Sequence, residues 1–182
     1  MLFRSPDLGL PYPLSEASID VQPLPSAPGK LLLAATSREV VQAWIEVFDL
    51  AGLNLDRLAA PQSCRLSAVR PLLEEVPPGH MVVMLSPMGT RGRPLMAIRD
   101  GIPLFERTLV EQGDRLYPEI QRSIAFLRRE FPDVRAVRLF MEGPVEERKA
   151  MEAALEQPVQ QVDLHPFASV LLAGLAIPEP VA

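Results

Sequence analysis

Three consecutive strand-like segments, set between predicted helices, constrain the fold of this chain more than any other feature. The first segment, residues 81–85, is continuously apolar, as in a strand that is buried on both faces. The next two, residues 95–99 and 103–109, flank Asp100-Gly101, a dipeptide that favours a tight hairpin turn. Together they predict an antiparallel meander. With helices before and after it, the order of elements predicts a layered α/β fold with a mixed sheet.

Two amphipathic helices are predicted by apolar residues that recur at the 3.6-residue period. The earlier one is expected to begin at a T-x-x-E capping box, Thr36 and Glu39, and to end at Gly52. The later one ends before Pro132 and carries five apolar side chains on one face. These five are Leu116, Ile120, Ile124, Leu127 and Phe131.

Weaker patterns complete the order of elements. Further strands are predicted at residues 17–24, 31–35, 55–60, 134–141 and 159–164, and the run at 31–35 is of the buried type. Further helices are predicted at residues 63–75, 144–157 and from residue 166 onward. We expect Pro71 to break the first of these helices and Pro144 to occupy the first position of the second.

Composition excludes several classes of protein. The 182 residues are 48% hydrophobic and 23% charged, which is typical of a soluble globular chain and not of a disordered one. A net charge of −5 argues against binding to the phosphate backbone of a nucleic acid. Cys64 is the single cysteine, so no disulfide framework or thiolate metal cluster can form. The longest nearly apolar stretch, residues 167–177, is shorter than the roughly 20 residues that span a bilayer, and we expect a cytoplasmic protein.

Proline divides the chain. Six of the 20 prolines lie in the first 29 residues, which are expected to form a proline-rich arm. The regular alternation of strands and helices starts after them. The sequence therefore predicts an arm, residues 1–29, followed by one α/β domain, residues 30–182.

Residues suited to catalysis are few. His80 and His165 are far apart and adjoin turn-forming residues, so both are expected to be exposed turn histidines, and Cys64 is expected to be a small structural residue. Glu146-Glu147 is expected to complement a helix dipole. The Gly89-x-x-Gly92 pattern lacks the Lys and Ser/Thr of a P-loop. We assign no catalytic, cofactor-binding or metal-ligating residue, and we do not expect an enzyme.

Several short motifs follow one another in the order in which they occur in one protein family. Residues 11–16 (P-Y-P-L-S-E) and 19–22 (I-D-V-Q) resemble its I-P-F-P-L-x-E…D-x-Q stretch. Residues 31–41 are similar to its L-L-V-A-A-x-x-E-V-V segment, and residues 51–53 match the A-G-L that closes the same helix.

The second half of the chain continues the series. Residues 98–107 resemble the family's V-x-R-D-G…F-x-R hairpin, and residues 119–123 resemble its E-I-x-R-S helix, followed here by Phe131-Pro132. Residues 166–176 lie where the family ends with a D-P-x-x…A-x-G-L-A helix. Six motifs in this order resemble PilM, the family of actin-like cytoplasmic proteins of type IV pilus assembly.

The resemblance implies a reduced actin-like (ribonuclease H-like) fold, with a mixed sheet flanked by helices. It also implies a scaffold at the cytoplasmic face of the inner membrane that binds the N-terminal tail of the membrane protein PilN and meets the membrane only through that partner. The tail is expected to pair as a strand with residues 11–24 and an exposed sheet edge. A homodimer is expected because the strands at 31–35 and 81–85 would otherwise expose an apolar face or edge.

The sequence departs from the family's motifs at the positions where the family binds nucleotide. The family's second phosphate loop, D-I-G-x-x-x-T, falls on residues 87–93, where Pro87 replaces the carboxylate and only Gly89 is kept. Its adenosine loop falls on residues 141–144 with a single glycine. The first loop, D-I-G-x-x-x-x-K, has no counterpart, and residues 110–119 are too few for the helical subdomain found there. We therefore expect no cofactor, and neither binding nor hydrolysis of ATP.

Three alternatives remain open from the sequence. One is the cytoplasmic actin-like domain of the type II secretion protein GspL, and another is an actin-like enzyme that uses ATP. The third is a regulatory interaction module without a role in pilus assembly.

Overall fold

A computed structural model describes residues 9–23, 29 and 31–163 of the chain. The chain divides into two compact units, Met1–Ala60 and Pro61–Ala182. The predicted arm of residues 1–29 and domain of residues 30–182 stay a prediction, although a strand within that arm pairs with one in that domain. His165 and the helix expected from residue 166 lie outside the described residues.

The first unit contains a two-stranded antiparallel sheet and a helix. Strand β1, Ala17–Pro23, pairs with β2, Leu31–Ser37, and helix α1 spans Arg38–Leu50. The predicted capping box is wrong by one residue, because the hydroxyl of Ser37 accepts the bond from the amide of Val40, at 3.3 Å. The strand predicted at 55–60 is also wrong, and its two alanines have low strand propensity.

The described part of the second unit, residues 61–163, is a five-stranded mixed sheet flanked by helices. Its elements are α2 (Pro61–Glu74), β3 (His80–Leu85), β4 (Arg93–Arg99), β5 (Ile102–Leu109), α3 (Leu116–Glu130), β6 (Ala136–Met141), α4 (Val145–Leu155) and β7 (Val159–Gln161). The strands lie in the order β5-β4-β3-β6-β7; β3, β6 and β7 are parallel, and β4 and β5 continue as an antiparallel meander. The predicted α/β fold, meander and Asp100-Gly101 turn are confirmed.

Two predicted proline effects are corrected. Pro71 lies inside α2 without ending it, since the helix continues to Glu74. Pro144 is the N-cap of α4 and not its first helical residue, because its ψ of 147° is extended.

The core of the second unit lies between the sheet and helices α3 and α4. Alternate residues of β3 (Met81, Val83 and Leu85) face this core together with Ile120 and Leu127 of α3. On the other face of the sheet, Arg65 of α2 forms an ion pair with Glu106 of β5, at 2.9 Å. The prediction that residues 81–85 leave apolar surface open is wrong: each is at most 1% exposed, because β3 is the central strand of a sheet flanked by helices.

Candidate functional site

The carboxyl ends of the three parallel strands meet at one edge of the sheet, which we call the strand-end site. The last residues of these strands, Leu85, Met141 and Gln161, are register partners across β3, β6 and β7. Ligands of open α/β sheets bind beyond this edge. The amide of Glu142 donates to the carbonyl of Leu85 at 3.0 Å, and the Gln161 side chain donates to the carbonyl of Gly143 at 2.6 Å. The loop after β6 is therefore tied to both neighbouring strands, β3 and β7.

The loop that follows β3 is closed on itself. The amide of Gly89 donates to the carbonyl of Gly92 at 2.8 Å, and the amide of Gly92 donates back to Gly89 at 3.2 Å. Pro87, earlier in the loop, has no amide hydrogen to offer. Two amide groups that could have faced a ligand are thus used within the loop.

Gly92 is required at its position. Its φ is +121°, a region that side chains rarely adopt, and a Cβ there would overlap the carbonyl oxygen of Leu109. Gly92 allows β4 to start directly beside the end of β5. In the sequence, Gly92 stands out only as part of a weak phosphate-loop pattern. Nothing in the sequence indicates the close approach of the Leu109 carbonyl.

A partly buried ion pair connects the start of β4 to α4. Arg93, the first residue of β4, is 2% exposed, and its Nη2 donates to Oε1 of Glu147 in the first turn of α4. The Nε and Nη1 atoms of Arg93 are buried and have no partner. The sequence predicted that Glu146-Glu147 complements the helix dipole. Glu147 additionally neutralises Arg93, a contact that the sequence does not reveal because 54 residues separate the two.

Two of the family-like motifs, the hairpin of residues 98–107 and the helix segment of residues 119–123, contact each other between β5 and α3. Arg107 of β5 reaches Glu119 at 3.1 Å and the hydroxyl of Ser123 at 3.4 Å, both on α3. Glu119 also pairs with Arg122 at 2.6 Å, and Phe105 packs against Phe126 with ring centroids 5.4 Å apart. These contacts hold the edge strand β5 on α3, which is a structural role.

The remaining candidates that lie within the described ranges do not assemble into a reactive site. Cys64 is buried on α2, and His80 is half-buried as the first residue of β3, so the prediction of an exposed turn histidine is wrong for His80. At the opposite edge of the sheet from the strand-end site, a 2.6 Å ion pair with Arg99 lowers the pKa of Asp133 and raises that of Arg99. Among the described residues, no group of three or more His, Cys, Asp and Glu could hold a metal ion.

The first unit exposes a second candidate surface. The register of β1 and β2 places Ile19, Val21, Leu31 and Leu33 on one face of the pair, which we call the apolar hairpin face. Val21 is 46% and Leu31 61% exposed, so the predicted burial of residues 31–35 is wrong. Within the described part of the chain, each of the two strands has only the other as a partner, which leaves an edge on each side.

The comparisons with known proteins define the class of fold. No family model and no curated protein matches the sequence. The chain is similar to the solved PilM-PilN type IV pilus biogenesis complex, with a TM-score of 0.58 and 18% identity over 93% of this chain and 68% of that chain. It is also similar to a Bacteroides thetaiotaomicron protein with an actin-like ATPase fold and unknown function, with a TM-score of 0.52 and 7% identity over 88% of this chain and 58% of that chain. The predicted actin-like fold is confirmed.

The strand-end site does not fit the nucleotide that an ATPase fold implies. A bound polyphosphate needs free backbone donors and a carboxylate that orients a metal ion. In this chain the amides of Gly89 and Gly92 each donate to the carbonyl of the other residue, and the Glu147 carboxylate lies at the guanidinium of Arg93. Pro87 stands where the sequence resemblance would place the carboxylate. An anion as large and charged as a triphosphate would meet that carboxylate.

No helix in the described ranges combines the length and hydropathy that a membrane span requires.

Proposed function

We propose that this chain is a non-catalytic scaffold of type IV pilus biogenesis that binds the cytoplasmic tail of an inner-membrane protein similar to PilN. The observation that supports this most directly is the likeness to the PilM-PilN complex, which extends over 93% of the chain. The six motifs in family order add to it. In this proposal the protein works at the cytoplasmic face of the inner membrane and reaches the membrane through its partner.

The apolar hairpin face is the surface that we propose for the tail. An extended peptide can pair with an open strand edge through its backbone and place alternate side chains on the adjoining face. Val21 and Leu33 are cross-strand partners at the middle of this face, and both are exposed. Apolar side chains of the tail that cover them would remove this surface from water.

Replacing Val21 and Leu33 together by threonine is expected to weaken tail binding at least about tenfold. Threonine keeps the strand propensity of both positions but removes apolar area, and roughly 1.4 kcal/mol of lost burial corresponds to a tenfold change. Isothermal titration calorimetry with a synthetic PilN-like tail peptide measures the effect. The matched control is the cross-strand pair on the opposite face, Asp20→Asn with Ala34→Ser, which should bind like the unaltered chain. Equal weakening in both double variants, or no binding by the unaltered chain, contradicts the proposal.

Absence of ATP binding is the second expected result. With Mg²⁺ present, calorimetry should detect no heat of binding at micromolar to millimolar ATP, and no phosphate should be released over hours. The amides of Gly89 and Gly92 are already used in bonds to each other's carbonyls, so they cannot bind phosphate. The Glu147 carboxylate occupies the guanidinium of Arg93. Saturable binding in the micromolar range would instead favour the actin-like enzyme.

The homodimer stays a prediction. Of the two surfaces on which it depended, β3 is buried and the apolar hairpin face is exposed, so self-association would now depend on the first unit.

A further inference from the structure

We infer that Arg93 and the first turn of α4 form an oxyanion-binding site, and that the carboxylate of Glu147 is its built-in occupant. The inference does not depend on the proposed role in pilus biogenesis. It follows from the burial of the guanidinium, the position of the helix terminus and the access of solvent to the carboxylate.

The buried cation is the first component. The side chain of Arg93 is 3% exposed and carries a guanidinium cation. A buried charge without a counter-charge is strongly destabilising. Of its three nitrogens, only Nη2 has a partner, which is Glu147, and buried Nε and Nη1 have capacity for a further acceptor. The geometry therefore requires an anion here and leaves donors for more than one oxygen.

The helix terminus is the second component. Helix α4 has 11 residues, and its N-cap Pro144 makes no side-chain capping bond. The first amides of a helix lack partners within it, and its dipole favours negative charge at this end. Oε2 of Glu147 lies 3.1 Å from the position that a Cβ on Gly143 would take, so the glycine leaves room for the carboxylate. Guanidinium and helix terminus thus act on the same carboxylate.

The size and charge of a replacement anion follow from the surroundings. The Glu147 side chain is 36% exposed, so solvent reaches the position that its carboxylate occupies. Glu146, the exposed preceding residue of α4, adds negative charge to the same edge. A small singly charged carboxylate such as formate or acetate is therefore preferred to a phosphate. In the unaltered protein the tethered Glu147 excludes such anions, because its effective concentration is millimolar or higher.

Replacing Glu147 by alanine tests the site, with formate and acetate as probes. Glu147→Ala should lower the melting temperature, and about 100 mM formate or acetate should restore about 3 °C relative to chloride at equal ionic strength. The matched control is Glu146→Ala, which removes a neighbouring exposed carboxylate and should respond to neither salt. The double variant Arg93→Met/Glu147→Ala should also fail to respond, because the guanidinium that holds the anion is gone.

Both possible failures are informative. A melting temperature of Glu147→Ala that rises equally in chloride and acetate overturns the inference, as does an equal rise in Glu146→Ala. If Glu147→Ala does not fold in chloride, refolding in acetate replaces the melting experiment. Recovery of native circular dichroism in acetate alone supports the site, and no recovery in either salt overturns it.

Discussion

Gly92→Ala is expected to destabilise the second unit by about 3 kcal/mol. A non-glycine residue at strongly positive φ costs roughly 1–3 kcal/mol, and the new Cβ would also collide with the carbonyl of Leu109. Relief of that collision would have to move β4 away from β5 and weaken a ladder hydrogen bond, which adds about 1 kcal/mol. Urea unfolding followed by circular dichroism measures the change in the free energy of unfolding.

Gly113→Ala is the matched control for this substitution. Gly113 also has a positive φ, +55°, but a Cβ there would meet no atom within 4 Å. Its cost should therefore be limited to backbone strain, about 1 kcal/mol. Equal destabilisation by the two variants would show that the approach of Leu109 to Gly92 is not what requires glycine.

The parts of the fold that the sequence predicted well are those in which local pattern and tertiary packing agree. The meander follows from the run at residues 81–85 and from Asp100-Gly101, which fixes a tight turn whatever surrounds it. Helix α3 follows from its apolar period, and four of the five predicted apolar residues are buried in the structure. Helix starts were less accurate, since Thr36 and Ser37 are both good caps and only the backbone decides between them.

The strand-end site could not be predicted, because its parts are distant in sequence and ordinary in type. In the sequence, Arg93 is an arginine in a charged turn. Glu147 is an acidic residue in the first turn of a predicted helix. Only the sheet order, which places β4 and α4 on either side of the end of β3, brings them together. The apolar hairpin face could not be predicted either. The pattern at residues 31–35 indicates a buried strand, and only the structure shows that, among the described residues, β2 pairs with β1 alone.

The family-like motifs illustrate a further difference between fold and function. Arg107, Glu119 and Ser123 come from two separate motifs and contact one another between β5 and α3. Arg99, from the hairpin motif, pairs with Asp133 beyond α3. These motif residues therefore stabilise the sheet and its helix. Their contacts lie within the fold and say nothing of a partner, so the proposed pilus role depends on the binding experiment with the tail peptide.

Ile120→Ala is expected to lower the free energy of unfolding by about 3–4 kcal/mol. Ile120 is fully buried in the core between α3 and the sheet, and truncation there removes apolar contacts and leaves a cavity. The neighbouring exposed residue supplies the control, because Gln121→Ala has little effect on helix propensity and should change stability by less than about 0.5 kcal/mol. The two positions are adjacent in sequence. The difference between their losses in the free energy of unfolding therefore tests which face of α3 is turned toward the sheet, as the sequence predicted. Similar losses from both substitutions in urea unfolding would mean that α3 does not present this face to the sheet.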